Sequence, residues 1–303
     1  MSIAAKPSVT PTPAGHHEAR IAARNAAIVE RGQRAVTLAI LTLGILLFLL
    51  PLYVMLAMAL KHQTEVATTS MWAWPKQPTL ANFHEVLTNP NVSFSLFLKN
   101  TTVITVTTTI GVVLTSAMAA YGFARVEFVG RDRIFLVLLA TMMLPSIVTM
   151  IPTYVMYANV GWVNSFKPLI VPSFFGGGAF NIFLLRQFYM GIPRELDEAA
   201  FLDGASHWTV FTQVLLPLAR PALVTVALFH FMGTWRDLIG PLLYLNDPDK
   251  QTLEVGLNTY SALQGEKWHL LMAGSVLIMI PIIVMFFIGQ RSFVKGIVMT
   301  GGK

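Results

Sequence analysis

The chain has 303 residues, 54% of them hydrophobic and 12% charged, with a formal net charge of +6 and no cysteine. An ordinary soluble domain is about 25% charged, so this chain carries more apolar surface than it can bury against itself, and lipid is the expected solvent for much of it. The lack of cysteine excludes disulfide frameworks, thiolate metal sites and cysteine nucleophiles together.

Residues 1–34 are polar and basic and begin with the Pro/Thr stretch "KPSVTPTP". They are expected to be a largely disordered cytoplasmic tail. Arg20, Arg24, Arg31 and Arg34 recur near helical spacing, which leaves open a short helix on the membrane surface. Uncharged runs follow at 36–60, 100–124, 134–160, 168–185, 221–235 and 270–290. A helix needs about 20 residues to cross the ~30 Å hydrocarbon core. Four runs reach that length, the fourth extends toward Met190, and the fifth reaches it by continuing through Arg236 and Asp237 to Leu245. The expectation is therefore an all-α polytopic membrane protein with six transmembrane helices. Residues 35–94 hold the first helix and an external loop, 95–290 the transmembrane core, and 291–303 a cytoplasmic tail. The first run is too long for a signal-peptide core, despite the "AMA" at 57–59, and is read as an uncleaved anchor.

Six crossings put both termini on one side. Fourteen Lys/Arg fall in the segments on that side and six on the other, so both ends are expected in the cytoplasm. That bias accounts for the basic excess without nucleic acid. Tryptophans in "MWAWPKQP" (71–78) and at Trp268 mark the opposite, outer interface.

One inner segment has the wrong sign. From Gly191 to Arg220, Glu195, Asp197, Glu198 and Asp203 stand against Arg194 and Arg220, for a net charge of −2. Pro193 followed by acids suits a helix start, Gly204 permits a turn, and Pro217 stops a second helix. An amphipathic helix lying on anionic lipid is normally Lys/Arg-rich. The hairpin at 191–218 therefore reads as a docking element for a cytoplasmic partner with a basic groove.

The residues carry a specific resemblance. Glu198-Ala199-Ala200, three residues ending in Asp203, Gly204, nine residues, then Val214-Leu215-Leu216-Pro217 resemble the EAA motif of ABC-importer permeases, with Val214 in place of isoleucine. The stretches "TLANFHEVL" (79–87), "AAYGFARVEFVGR" (119–131), "WRDLIGPLLYLND" (235–247) and "QRSFVKGIVMTGGK" (290–303) are similar to the carbohydrate-uptake branch of that family, the MalG-like subunits. Arg236 departs from the asparagine expected there. The resemblance implies a MetI-like, type I importer fold in a bacterial cytoplasmic (inner) membrane. Its implied role is a non-catalytic transport subunit for a di- or oligosaccharide. It also implies that Glu198, Ala199, Ala200, Asp203, Gly204, Val214, Leu216 and Pro217 couple the subunit to a separate ABC ATPase dimer, which holds ATP and Mg. Further partners so implied are a second permease similar to MalF and an extracytoplasmic sugar-binding protein docking on 61–94 and 246–268.

Arg236 and Asp237 are the charges inside an expected span. Placed nine residues from Leu245, Arg236 is expected ~13 Å deep at 1.5 Å per residue. With Trp235 and Tyr244 the pair reads either as the lining of a substrate pathway or as an interhelical ion pair that fixes packing. Pro145 and Pro152 interrupt the third run and Gly176, Gly177 and Gly178 the fourth. They are hinge candidates or the ordinary Gly/Pro content of membrane helices. The Thr-rich "TTVITVTTT" (101–109) reads as glue between helices. "GIVMTGGK" (296–303) fails as a phosphate loop, since no Ser/Thr follows the lysine and no strand precedes it. The histidines form no metal-ligand cluster, and no cofactor is expected on this chain. A self-contained secondary transporter is the rival reading; uptake that survives loss of the ATPase is its signature.

Overall fold

A computed structural model describes the backbone of residues 13–89, 94–264 and 267–301 and the side chains of 30–89, 94–261 and 267–290. Every regular element among the described residues is helical. The chain divides into two compact units, Met1–Met55 and Leu56–Lys303.

The described part of the first unit belongs to one long helix, α1 (Pro13–Ala59), which continues along the chain into the second unit. The expected disordered tail is corrected from Pro13 onward, where the backbone is already helical. Nucleating a helix is its costly step and propagation is cheap. The apolar span supplies the nucleus, and residues 16–35 before it contain no proline and only Gly32 to resist extension. Residues 1–12, with most of the Pro/Thr stretch, lie outside the described residues. The most apolar window of Glu30–Ala59 contains no buried residue, and Phe48 is 82% exposed, as suits a helix whose solvent is lipid.

The second unit follows as α2 (Gln63–Thr68), α3 (Ala81–Thr88), α4 (Phe94–Arg125), α5 (Arg131–Thr141), α6 (Ser146–Asn159), α7 (Lys167–Ile170) with a 3-10 turn at Val171–Phe174, and α8 (Ala179–Met190). Then come α9 (Glu195–Leu202), α10 (His207–Thr209) with a π turn at Val210–Leu215, α11 (Leu216–Leu218), α12 (Arg220–Trp235), α13 (Ile239–Tyr244), α14 (Leu253–Gln264) and α15 (Trp268–Gly301). α4 is the central post. Its C-terminal half packs with α8 and the start of α12 in one apolar cluster around Leu185, Tyr189, Val210 and Leu215. Its N-terminal half joins α3, α12, α14 and α15 in a second cluster around Phe97, Leu253 and Leu270. Asn82 of α3 donates to the carbonyls of Ala59 and Lys61, both at 2.8 Å, and so satisfies acceptors left open where α1 ends.

Four helices, Glu30–Ala59, Phe94–Arg125, Lys167–Met190 and Trp268–Gln290, are long and apolar enough to cross a membrane; six crossings result if each of two bent pairs counts as one. The expected third span is bent by 97° between α5 and α6. Pro145 stands at that break as the residue before α6, whereas Pro152 sits inside α6. The expected fifth span, 221–245, is broken once: the helix does not run through to Leu245, because α12 stops at Trp235 and α13 begins at Ile239. Ahead of that span, α10–α11 meets α12 at 77°. Pro241 is the reason for the break after Trp235: it has no N–H for the carbonyl of residue 237 and its ring clashes there.

Candidate functional site

The hairpin is built as its residues require. α9 carries Glu195, Asp197 and Glu198 in its first turn, where the N-terminal dipole favours them. It ends at Leu202, and Gly204 turns the chain with φ +83, a left-handed conformation that a side chain makes costly. Ser206 caps α10, its side chain accepting from the Thr209 amide at 3.2 Å. Pro193 lies two residues before the helix, rather than in its first turn, and Pro217 lies within α11 rather than at its end.

The hairpin has two faces. Its inner face rests on the end of α4: Ala200, Ala205, Val214 and Leu216 pack around buried Val210, Phe211 and Leu215. Three polar contacts lie in the same seam. Arg125 Nε stands 3.1 Å from Asp197 Oδ2, the two side chains only 4% and 10% exposed, and Arg125 Nη2 donates to the Ile192 carbonyl at 2.7 Å. Tyr121 hydroxyl and His207 Nδ1 are 3.0 Å apart. Burial pushes the Asp197 carboxyl above the ordinary aspartate range, and the nearby Arg125 and then Arg194 guanidinium groups act against it. The outer face holds Glu198, Ala199, Asp203 and Gly204, all exposed, beside Leu202 at 89% and Trp208 at 61% exposure. This face therefore combines exposed apolar and acidic groups on one polar loop.

Sequence reasoning grouped Asp197 with its acidic neighbours and passed over Arg125, Tyr121 and His207. A trace was available, since Tyr121 and Arg125 are four residues apart and therefore share a face of α4. That the face meets the hairpin is a tertiary fact.

The pathway candidates separate. Trp235 is packing: it is buried, stacks on Phe231 and donates its indole N–H to the Ile278 carbonyl of α15 at 3.0 Å. Tyr244 is buried too, stacked on Tyr154 and edge-on to Tyr157. Arg236 is exposed rather than held inside a helix, because the helix that would have carried it inward has ended. It lies close enough to Glu254 of α14 to oppose the upward push that burial exerts on that carboxyl. Asp237 alone lines a cavity of about 80 Å³, with Thr101, Thr105, Thr108, His230 and Thr234 among its walls. Its Oδ1 accepts from the Gly240 amide at 3.1 Å. Thr101, Thr105 and Thr108 present one face of α4. Thr101 does act as glue, accepting from the Leu253 amide at 2.9 Å, while Thr105 Oγ1 has no hydrogen-bond partner among the described residues.

Gly176, Gly177 and Gly178 form one left-handed turn, φ +92, +53 and +95. Gly177 presses on α4 so closely that an added Cβ would stand 2.5 Å from Val112 Cγ2. Thr115 Oγ1 of α4 accepts from the Gly176 amide at 3.2 Å; its one hydrogen is shared between the Gly111 carbonyl at 2.7 Å and the Ser173 carbonyl at 3.2 Å. The turn is thus held against the central post.

Residues 111–298, from the middle of α4 to near the end of α15, match the family model described as "Binding-protein-dependent transport system inner membrane component". The chain is 33% identical over 220 residues to the trehalose/maltose transport system permease protein MalG of Thermococcus litoralis, covering 72% of this chain and 79% of that protein. It is 31% identical over 229 residues to the arabinooligosaccharides transport system permease protein AraQ of Halalkalibacterium halodurans, covering 76% of this chain and 81% of that one. Its fold resembles a chain in the crystal structure of a bacterial ABC transporter involved in the import of the acidic polysaccharide alginate. The TM-score is 0.76, with 23% identity, 88% of this chain and 98% of that chain covered; at that identity the likeness is one of fold.

Proposed function

We propose, from the premise that this chain belongs to the binding-protein-dependent transport system inner membrane component family, that it is the permease subunit of an ATP-driven importer of oligosaccharides. The sugar assignment is supported by relatives named for trehalose/maltose and arabinooligosaccharide transport. Four to six apolar spans agree with a multi-pass membrane protein, and the arginine and lysine bias supports cytoplasmic termini in a bacterial inner membrane.

The observation that carries the mechanism is the two-faced hairpin. Its inner face is fastened to the core by buried contacts, and its outer face offers Glu198, Asp203, Leu202 and Trp208 to a partner. An ABC ATPase with a basic residue in an apolar cleft fits that outer face in both charge and polarity. Closure of the ATPase dimer on ATP pulls the hairpin and opens the transmembrane cavity outward; hydrolysis returns it. This chain supplies no catalytic group to that cycle.

A second permease is supported by size. The cavity around Asp237, about 80 Å³, is well below the ~300 Å³ at which small-molecule sites begin, so an oligosaccharide passage needs another subunit to complete it. Exposed Ile147, Val148 and Ile151 of α6 give such a subunit, or lipid, an apolar wall. A binding protein delivers the sugar from outside at 61–94 and 246–268. The family assignment does not favour the self-contained secondary transporter.

The test is co-purification and uptake. Glu198→Lys in the full complex should release the ATPase and abolish oligosaccharide uptake while the permease still reaches the membrane. ATPase retention with undiminished uptake would refute the coupling role.

A further inference from the structure

The face of the hairpin read as a docking surface does not include its best-buried polar contact. We propose that Arg125 and Asp197 form a latch through which motion of the hairpin 191–218 is handed to α4, making both of them positioning residues for transport. This rests on the coupling reading above and adds to it the route by which the ATPase's pull reaches the transmembrane core.

The geometry that carries the inference is a multi-point clamp. Arg125, in the last turn of α4, reaches the carboxylate of Asp197 on α9 at 3.1 Å and the carbonyl of Ile192 ahead of α9 at 2.7 Å. One turn earlier, Tyr121 meets His207 of α10 at 3.0 Å, and its ring lies 5.3 Å from that of Phe211 beyond it. One end of one helix therefore grips the hairpin on both sides of its turn. A single contact would let the hairpin pivot; contacts at separated points make the hairpin and the end of α4 move as a body.

Stability does not explain why the central contact is ionic. The desolvation of a buried pair commonly cancels its attraction, and a well-packed apolar pair serves as well or better. What the ion pair adds is resistance to sliding. Apolar side chains can shift past one another in small steps, but drawing the guanidinium away from the carboxylate leaves two uncompensated charges where water is scarce. The pair is also minimal: neither Asp197 Oδ1 nor Arg125 Nε has a hydrogen-bond partner among the described residues, so the contact is the charge attraction of Arg125 for the carboxylate at 3.1 Å.

The far end of α4 gives that motion somewhere to go. α4 is 32 residues long, and its Thr101 and Thr105 line the cavity that also contains Asp237. Displacement of the α4 end by the hairpin must alter that cavity or the packing of α4 on α8 and α12.

The absence of cysteine allows the test in the intact complex, using cysteine-free partner chains. Spin labels at Val129→Cys, in the turn after α4, and Gln213→Cys, on the second arm of the hairpin, occupy exposed positions. The distance between them should be the same in the nucleotide-free and ATP-trapped complexes, within the roughly 1–2 Å of ordinary helix adjustment. A larger change means the hairpin slides on α4 and overturns the latch. The second arm compares Asp197→Asn, Arg125→Asp and the exchange Arg125→Asp/Asp197→Arg by uptake per ATP hydrolysed. The single variants should lower that ratio by a factor within the roughly 5–150-fold span of coupling free energies, and the exchange should recover it. Where a single variant fails to assemble, recovery by the exchange supports the latch and continued failure of the exchange overturns it. An unchanged ratio in an assembled single variant also overturns it, with the ATPase still bound at Glu198. If the ATPase does not depend on Glu198, the coupling reading falls and takes the latch with it.

Discussion

The hairpin and the break between α12 and α13 pose the same problem twice: two adjacent charged residues in a mostly apolar chain. In the hairpin, Asp197 turns inward to Arg125 while Glu198, one residue on, is exposed. At the break, Asp237 lines a cavity while Arg236, its neighbour, is exposed. The mechanisms differ. In α9 an intact helix separates the pair by its ~100° turn per residue; at 236–237 the helix has stopped, and the irregular backbone parts them. In both places position along the chain marks the region, and the backbone decides which of the two neighbours has an internal structural role and which is offered outward.

The largest effect should come from Asp197→Ala, which strands a buried guanidinium. A loss of about 3–5 kcal/mol is expected in thermal or chemical unfolding of the solubilised permease, against a change within ~0.5 kcal/mol for Glu198→Ala. Equal losses at the two positions would erase the distinction between the faces. Next comes Gly204→Val. Space is not the obstacle, since nothing lies within 4 Å of an added Cβ. The left-handed φ of +83 is, and about 1–2 kcal/mol of strain should appear as weaker ATPase co-purification. At the break, Trp235→Phe keeps the stacked ring and loses one buried hydrogen bond. That removes about 0.5–1.5 kcal/mol from unfolding stability with little change in uptake. Arg236→Ala should do the reverse, leaving stability within ~0.5 kcal/mol and lowering uptake; unaltered uptake kinetics would remove Arg236 from the pathway.

The smallest effect concerns pH on the loop 246–268, where we propose that a binding protein docks. Asp247 has its carboxyl held below the ordinary range, first by the Asp249 amide and then by Lys250. A depressed pKa means that its contribution is present above the unfolded aspartate value and is lost as pH falls through the lowered one. The protection of the Asp249 amide, its exchange rate relative to the intrinsic rate at the same pH, should fall only under that acid condition; a fall in protection near neutral pH would contradict the assignment.

Much of this was readable along the chain, for reasons that particular residues make plain. Runs of 20 or more uncharged residues report lipid because every backbone group in a membrane must be satisfied within its own helix. The turn at Gly204 and the break at Pro145 were visible because glycine and proline act on φ and on the N–H at their own positions. The break at 236–238 was missed by weighing the length of the apolar run above Pro241. The tail from Pro13 was missed because its composition is that of a solvated segment, while its helix is continuous with the adjoining span.

By itself the sequence determined the solvent, the number of apolar crossings within the range the fold allows, and the acidic hairpin with its exposed turn. Each of these follows from composition or from rules that act over a few residues. Only the tertiary structure decided that Arg125 meets Asp197, 72 positions further along, that Tyr121 meets His207, that Trp235 is packing, and that Asp237 rather than Arg236 reaches a cavity. Those outcomes depend on which face of one helix is pressed against which face of another, a choice made by burying α4 among α8, α12 and the hairpin together.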